Sequence, residues 1–243
     1  MSFRNVYQDA RRAEAYATLE LGDTYHLAFR DLPALLATHA TGRRALDFGC
    51  GTGRSTRFLE GLGYDTLGVD IAPEMLAIAV QRDPRGRYLR LPEGDCRPLA
   101  GAAFDVVLCA FPFDNIPSRA LKLRILTDLR ALLPPTAVVV NLVSSPAIYV
   151  NEWASFSTRE FLEANRRAGT GDVVRIVTTT IPDARSCDDV LFPEEAYRSL
   201  HTEAGFDTLE VRKPVARGDE GYAWKAEVHT APWHLHVLRP SAA

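Results

Sequence analysis

Three glycines, Gly49, Gly51 and Gly53, fall within five positions in the stretch ALDFGCGTGRST, residues 45–56. Glycine lets backbone N–H groups come close to a ligand, and a helix N-terminus just after such a turn favours a negative or strongly polar group. Three acids accompany the glycines: Asp47 in the same stretch, Asp70 in YDTLGVD, and Asp95 in EGDCRPL. Asp70 stands at the distance from Gly49 that suits an acceptor for ribose hydroxyls. Each acid alone reads as a solvated turn residue; the three together beside the glycines read as a nucleotide-type site. A dinucleotide fingerprint, GxGxxG, would need glycine at position 54, where the chain has Arg54. The spacing is GxGxG, which argues against a nucleotide-dependent oxidoreductase without excluding one.

Groups for acid–base chemistry are fewer. His26, Asp114, Glu152 and His234 are candidates for a general base, and each also reads as a structural hydrogen-bonding group. The FDN run at 113–115 has metal-ligand types, but no second acidic pair follows in NLVSSP, so no metal is expected. The four cysteines, Cys50, Cys96, Cys109 and Cys187, have neither zinc spacing nor disulfide density and read as free thiols. A net charge of −3 and the lack of a basic stripe predict no nucleic-acid partner. No apolar run reaches the length of a membrane span, and MSFRNVYQDARR has no leader-like apolar core. The expectation is a cytoplasmic protein, monomeric or homodimeric, with no membrane partner.

These residues need elements to hold them. RRALDF, YDTLGVD, GRYLRL, FDVVLCAF and TAVVVNLV read as strands. FDVVLCAF and TAVVVNLV are nearly continuous apolar runs, as strands buried on both faces should be. Between them lie helical stretches: STRFLEGLG, PEMLAIAVQRD with Pro73 at a first helical position, and 118–133 with Leu121, Ile125, Leu129 and Leu132 on one stripe. Alternation of strand and helix predicts a parallel sheet. Helices are also expected over 8–20, 32–40 and PEEAYRSLHTEAGF, with DTLEVRKPV and WHLHVLR as the last strands. An insertion over 144–192 carries Trp153, Phe156 and the β-rich DVVRIVTTTI. One domain of 243 residues is expected, with residues 1–40 as an N-terminal helical cover. DVVRIVTTTI and GYAWKAEVH are expected to pair as an antiparallel add-on.

LDFGCGTG, GVDIAPEML and GDCRPLAGAAFDVVLCAF together resemble the motifs of the class I S-adenosylmethionine-dependent methyltransferases, small-molecule type. The resemblance covers about 43–145, and the tail helix and last two strands also fit it. It implies a Rossmann-like, seven-stranded, mostly parallel sheet with an antiparallel last strand and helices on both faces. It implies S-adenosylmethionine as cofactor and S-adenosylhomocysteine as product. The backbone near Gly49, Cys50, Gly51 and Gly53 would hold the amino acid end. Asp70 would take the ribose hydroxyls, Ile71 and Met75 would pack on the adenine, and Asp95 and the Cys96 N–H would read its edge. Ala110 and Phe111 would line the donor methyl, with Tyr25 and Arg30 covering the cofactor. Phe3, Tyr7, Phe113, Trp153, Phe156 and Trp224 are expected to form the acceptor pocket, with Tyr16, Tyr222 and Trp233 at further lining positions. That concentration of aromatics points to a small aromatic or heterocyclic metabolite, methylated on nitrogen or oxygen in secondary-metabolite biosynthesis. A non-catalytic cofactor-binding homologue is the other alternative.

Overall fold

The computed structural model describes residues 9–91 and 95–242. Three helices open the described chain: α1 (Ala10–Ala17), α2 (Thr24–Arg30) and α3 (Leu32–His39). The wound core follows as β1 (Arg44–Phe48), α4 (Arg54–Gly61), β2 (Asp65–Asp70), α5 (Pro73–Arg82), β3 (Arg87–Arg90), β4 (Val106–Ala110), α6 (Arg119–Ala131) and β5 (Val138–Ser144). The insertion holds β6 (Phe156–Ser157), α7 (Leu162–Arg167), β7 (Val173–Thr178) and β8 (Ser186–Val190). The chain then returns through α8 (Glu194–Glu203), β9 (Phe206–Arg212) and β10 (Trp233–Pro240).

The main sheet has seven strands in the order β3-β2-β1-β4-β5-β10-β9. β10 runs antiparallel to both neighbours, and the pairings among β1 to β5 are parallel. This is the expected topology, with β1 in the interior of the sheet. Every residue of β5 is buried, which explains its unbroken apolar sequence. One face carries Ala45, Val106, Val140, Leu235 and the packing residues of α2 and α3. The other carries Leu46, Val107, Val139 and the stripe of α6 and α8.

Local signals act as expected at the element ends. The Ser118 side chain accepts from Leu121 N at the start of α6, and Gly205, at φ +81°, ends α8. Strand order reverses beside β1, between β2 and β4. Ligands in such sheets bind outside the carboxyl ends of the strands at that reversal.

One pairing differs from expectation. β7 pairs with β6 and β8 in a separate three-stranded sheet, not with GYAWKAEVH. The cause is Glu227, fully buried within that stretch. Its carboxylate accepts from the Thr24 hydroxyl and from the backbone N–H groups of Ala154 and Lys225. That wraps the chain into a 3-10 turn at Ala226–Val228.

Candidate active site

The glycine turn connects β1 to α4. Gly49, Gly51 and Gly53 all have positive φ, between 53° and 76°. At Gly49 an added Cβ would stand 2.5 Å from Pro112 Cβ, so only glycine lets the first turn pass under the loop after β4. At Gly51 a Cβ would meet nothing within 4 Å, so that turn faces open space. Asp47 lies beneath, fully buried, and its Oδ2 accepts from Ser55 Oγ at 2.7 Å and Thr56 Oγ1 at 2.6 Å. Burial raises its pKa to about 6 despite those two donors. It braces the first turn of α4 against β1.

Asp70 ends β2 and faces the same turn. Its Oδ2 accepts from Gly51 N at 2.8 Å and its Oδ1 from Ala72 N at 2.9 Å. A carboxylate presents about four acceptor sites, so each oxygen keeps one for an incoming pair of hydroxyls. Met75 is buried against Ala13 of α1, with Ile71 partly buried beside it. Cys96 is buried. The half-buried Asp95 is held at about 2 by hydrogen bonds from the Arg97 side chain and backbone.

Arg30 is engaged elsewhere. Its guanidinium pairs with Asp31 at 2.9 Å and Glu220 at 2.8 Å, tying α2 to the loop before β10. Two guanidinium groups stand beside the glycine turn: Arg57, whose Nη1 donates to Thr52 O at 3.0 Å, and Arg54, which opens α4. Arg54 lies 4.5 Å from the Tyr25 ring centre and 5.6 Å from that of Tyr16.

Beyond the turn, the carboxyl edge of β4 and β5 opens into a cleft enclosing about 400 Å³, solvent at its mouth included. Its aromatic wall comes from four elements. Tyr25 stacks on Trp233 at 5.8 Å and meets Phe111 at 5.9 Å and Phe156 at 5.3 Å. Phe111 has φ +73°, a strained value for a bulky residue, and this left-handed residue turns its ring toward Trp233 at 4.7 Å.

Two buried acids also line the cleft. Asp114 follows Phe111 in the 3-10 turn Pro112–Asp114. Its Oδ2 accepts from Ser144 N at 3.0 Å and Ser144 Oγ at 2.8 Å. Asp189, on β8, accepts from Asn115 Nδ2 at 2.6 Å and the Tyr149 hydroxyl at 3.1 Å. Burial, with the neighbouring Asp189 charge, raises Asp114 to about 7; burial raises Asp189 to about 6. The buried Lys122, which donates to the Phe113 carbonyl, is held down to about 8 by desolvation.

Several sequence expectations need correction. Trp153 is fully buried and its indole N–H donates to Ile148 O at 2.8 Å, so it packs in the core and does not line the cleft. Phe113 is also fully buried, because the reversal at Phe111 sends it to the opposite face beside Phe48. Trp224 donates to Glu220 Oε2 at 3.1 Å and meets the tilted Tyr222 ring at 5.0 Å, away from the cleft lining. His26 meets Tyr222 at 5.2 Å in that same outer layer. His234 faces Glu194 at 3.8 Å because β10 alternates, and its neighbour Trp233 takes the cleft side. Glu152 accepts from Thr158 N and Ser157 Oγ and serves the insertion's own turn. Phe111, Phe156 and Asp114 do line the cleft, whereas Phe3 and Tyr7 lie outside the described residues. Tyr16 and Trp233, expected among the lining aromatics, do line the cleft, and Ser144, Asn115 and Asp189 are lining residues that sequence reasoning missed.

Among the described residues no group of three or more His, Cys, Asp or Glu side chains could hold a metal ion. Nor is any described helix long and apolar enough to cross a membrane.

Comparisons with known proteins bear on this arrangement. Residues 46–136 match the family described as methyltransferase domain. The demethylmenaquinone methyltransferase of Tropheryma whipplei (strain Twist) is 30% identical over 155 residues. That match covers 62% of this chain and 64% of the relative, so the chain spans less than two thirds of that protein's length. Among solved structures, the CcbJ methyltransferase of Streptomyces caelestis superposes with a TM-score of 0.69 at 18% identity, over 98% of this chain and 99% of that one. The S-adenosylmethionine-bound amino pentose methyltransferase of Micromonospora echinaspora gives 0.61 at 19% identity, over 99% of each chain. At those identities the likeness is one of fold. S-adenosylmethionine is the cofactor that this family and fold imply, and the open face of Gly51 with the spare acceptor sites of Asp70 fit it.

Proposed function

We propose that this chain is a class I S-adenosylmethionine-dependent methyltransferase and transfers a methyl group to a nitrogen or oxygen of a small, ring-bearing molecule held in the aromatic cleft. The observation that carries the reading is a juxtaposition. A glycine turn braced by Asp47 and Asp70 stands at the same sheet edge as a cleft walled by Tyr25, Phe111, Phe156 and Trp233. When bound, S-adenosylmethionine supplies an activated methyl on a sulfonium, so the protein's main task is alignment.

Each part then has a task. Asp70 takes the ribose hydroxyls on its two remaining acceptor sites. Ile71, Met75, Asp95 and Cys96 take the adenine end. The turn at Gly49, Cys50, Gly51 and Gly53 takes the amino acid end. Arg54 replaces Arg30 as the proposed partner of the carboxylate, because it stands at the α4 N-terminus beside that turn. Ala110 and Phe111 border the donor methyl. The rings exclude water from the reacting centre and receive the flat face of the acceptor. We read the whole as one domain, with residues 1–40 and the insertion 144–192 closing the acceptor side.

Calorimetry tests the reading. The purified chain should bind S-adenosylmethionine and S-adenosylhomocysteine at one site each and give no heat with NAD. Binding of NAD, or of neither sulfur compound, would overturn it.

A further inference from the structure

The cleft is uneven in charge. Its floor carries two buried carboxylates, Asp114 and Asp189, and the buried cation that acts on both from behind the lining is Lys122. Nearby guanidinium groups have their own carboxylates: Arg175 pairs with Asp188 at 2.8 Å and Arg12 with Asp183 at 3.4 Å. With all three groups of the floor ionised, one negative charge is left over. Above this floor stand Tyr25, Phe111, Phe156 and Trp233; the Arg54 guanidinium already lies over Tyr25 at 4.5 Å, and the faces of Phe111, Phe156 and Trp233 are the ones that would attract a further cation. A metal ion would need more ligands of the right type than the described residues bring together. An organic ammonium suits both halves, since the carboxylates take its N–H donors and the rings take its carbon frame.

From this we infer that the acceptor is an amine, which enters as its ammonium form and is bound and deprotonated by the Asp114–Asp189 pair. The inference rests on the methyltransferase reading and narrows it from nitrogen or oxygen to nitrogen.

The two acids differ in what their oxygens already hold. Asp189 has a donor on each oxygen, Asn115 on Oδ1 and Tyr149 on Oδ2, and so is fixed as a carboxylate. On Asp114 the Ser144 hydroxyl and the shorter Ser144 N–H contact both fall on Oδ2. The longer contact of that same N–H, 3.2 Å, is the one Oδ1 receives. Asp114 Oδ1 is therefore the atom available to take a proton. Its raised affinity for protons agrees with that role.

The step balances. The ammonium gives one proton to Asp114 and becomes a neutral amine. The nitrogen lone pair forms the N–C bond to the methyl group. The C–S bond breaks with its electron pair going to sulfur, giving S-adenosylhomocysteine and a methylated ammonium. The proton on Asp114 leaves to solvent, one per transfer. Asp189 holds the second N–H and orients the lone pair.

Benzylamine and benzyl alcohol are the probes, titrated calorimetrically into the full chain saturated with S-adenosylhomocysteine. Benzylamine should bind at least tenfold more tightly than benzyl alcohol. Asp114→Asn and Asp189→Asn should each weaken benzylamine tenfold or more and change benzyl alcohol less than threefold. Unchanged affinity for S-adenosylhomocysteine identifies a folded variant. With trideuteromethyl donor, mass spectrometry should find label on the nitrogen of benzylamine, with Asp114→Asn losing kcat and Asp189→Asn raising KM. Equal binding of amine and alcohol by the parent chain overturns the inference without any variant. So does transfer to the alcohol alone, or amine affinity indifferent to both substitutions. If the parent chain fails to bind S-adenosylhomocysteine, the methyltransferase reading itself has failed.

Discussion

Replacing Asp70 probes both the architecture of the glycine turn and the proposed cofactor contact. Gly51 N and Ala72 N each occupy one acceptor site of its carboxylate, at 2.8 and 2.9 Å. Two sites remain, one per oxygen, matched to two neighbouring hydroxyls. A hydrogen bond to a charged group contributes about 1.5–3 kcal/mol. Asp70→Asn replaces one oxygen by a donor and removes one hydroxyl contact. Affinity for S-adenosylhomocysteine should fall roughly 10- to 150-fold, at about 1.4 kcal/mol per factor of ten. Asp70→Ala removes both contacts and frees the Gly51 N–H, so the loss should exceed about 100-fold. The assay is calorimetric titration, with thermal melting as a check on folding. Affinity within threefold of the parent, in a folded Asp70→Ala variant, would refute this account of the turn.

Other perturbations test other parts. Asp95→Ala should weaken the cofactor less than Asp70→Ala, because its carboxylate already spends both oxygens on Arg97; equal losses would contradict this. Arg54→Ala should weaken S-adenosylhomocysteine about tenfold, as one charge-assisted contact is lost, while Arg30→Ala changes it less than threefold; the opposite ranking would restore Arg30 to the site. Trp233→Phe keeps a ring in the wall but loses the indole bond to Thr24 O, 2.8 Å in the parent. It should raise the acceptor KM several-fold and leave cofactor affinity intact, so a cofactor loss of equal size would move Trp233 to the donor side. Burial holds His236 down to about 4 and His201 to about 3, against about 6.5 in an unfolded chain. The unfolded chain therefore binds the extra protons, and stability is lost as pH falls from about 6.5 toward those values. His236→Phe removes one share of that loss, so the acid-unfolding midpoint followed by circular dichroism should move to lower pH.

The strands and the glycine turn were legible because local chemistry decides them. Continuous apolar runs mark β4 and β5, and GxGxG with Asp70 at the end of the next strand marks the turn. The acceptor side was not, because register and long-range placement decide it. Trp153 and Phe156 stand three positions apart in one insertion, yet one meets Ile148 O in the core and the other reaches the cleft. In WHLHVLR the period-2 pattern is plain, but only its register on Ser144 and Val143 tells that Trp233 faces the cleft and His234 does not. Asp189 reads in sequence as one of two acids in a β-rich insertion. It becomes a floor residue through the hairpin of β7 and β8 and its bonds to Asn115 and Tyr149. Arg54 was weighed only as the residue that breaks GxGxxG; its stacking over Tyr25 depends on α2, an element between the two expected N-terminal helices.

The most direct test is a crystal structure with S-adenosylhomocysteine soaked in. The account predicts the ligand along the Gly49–Gly53 turn, its ribose hydroxyls about 3 Å from the Asp70 carboxylate, and its sulfur facing Phe111 and the cleft. A ligand ordered elsewhere, or one whose sulfur faces away from the cleft, would contradict it.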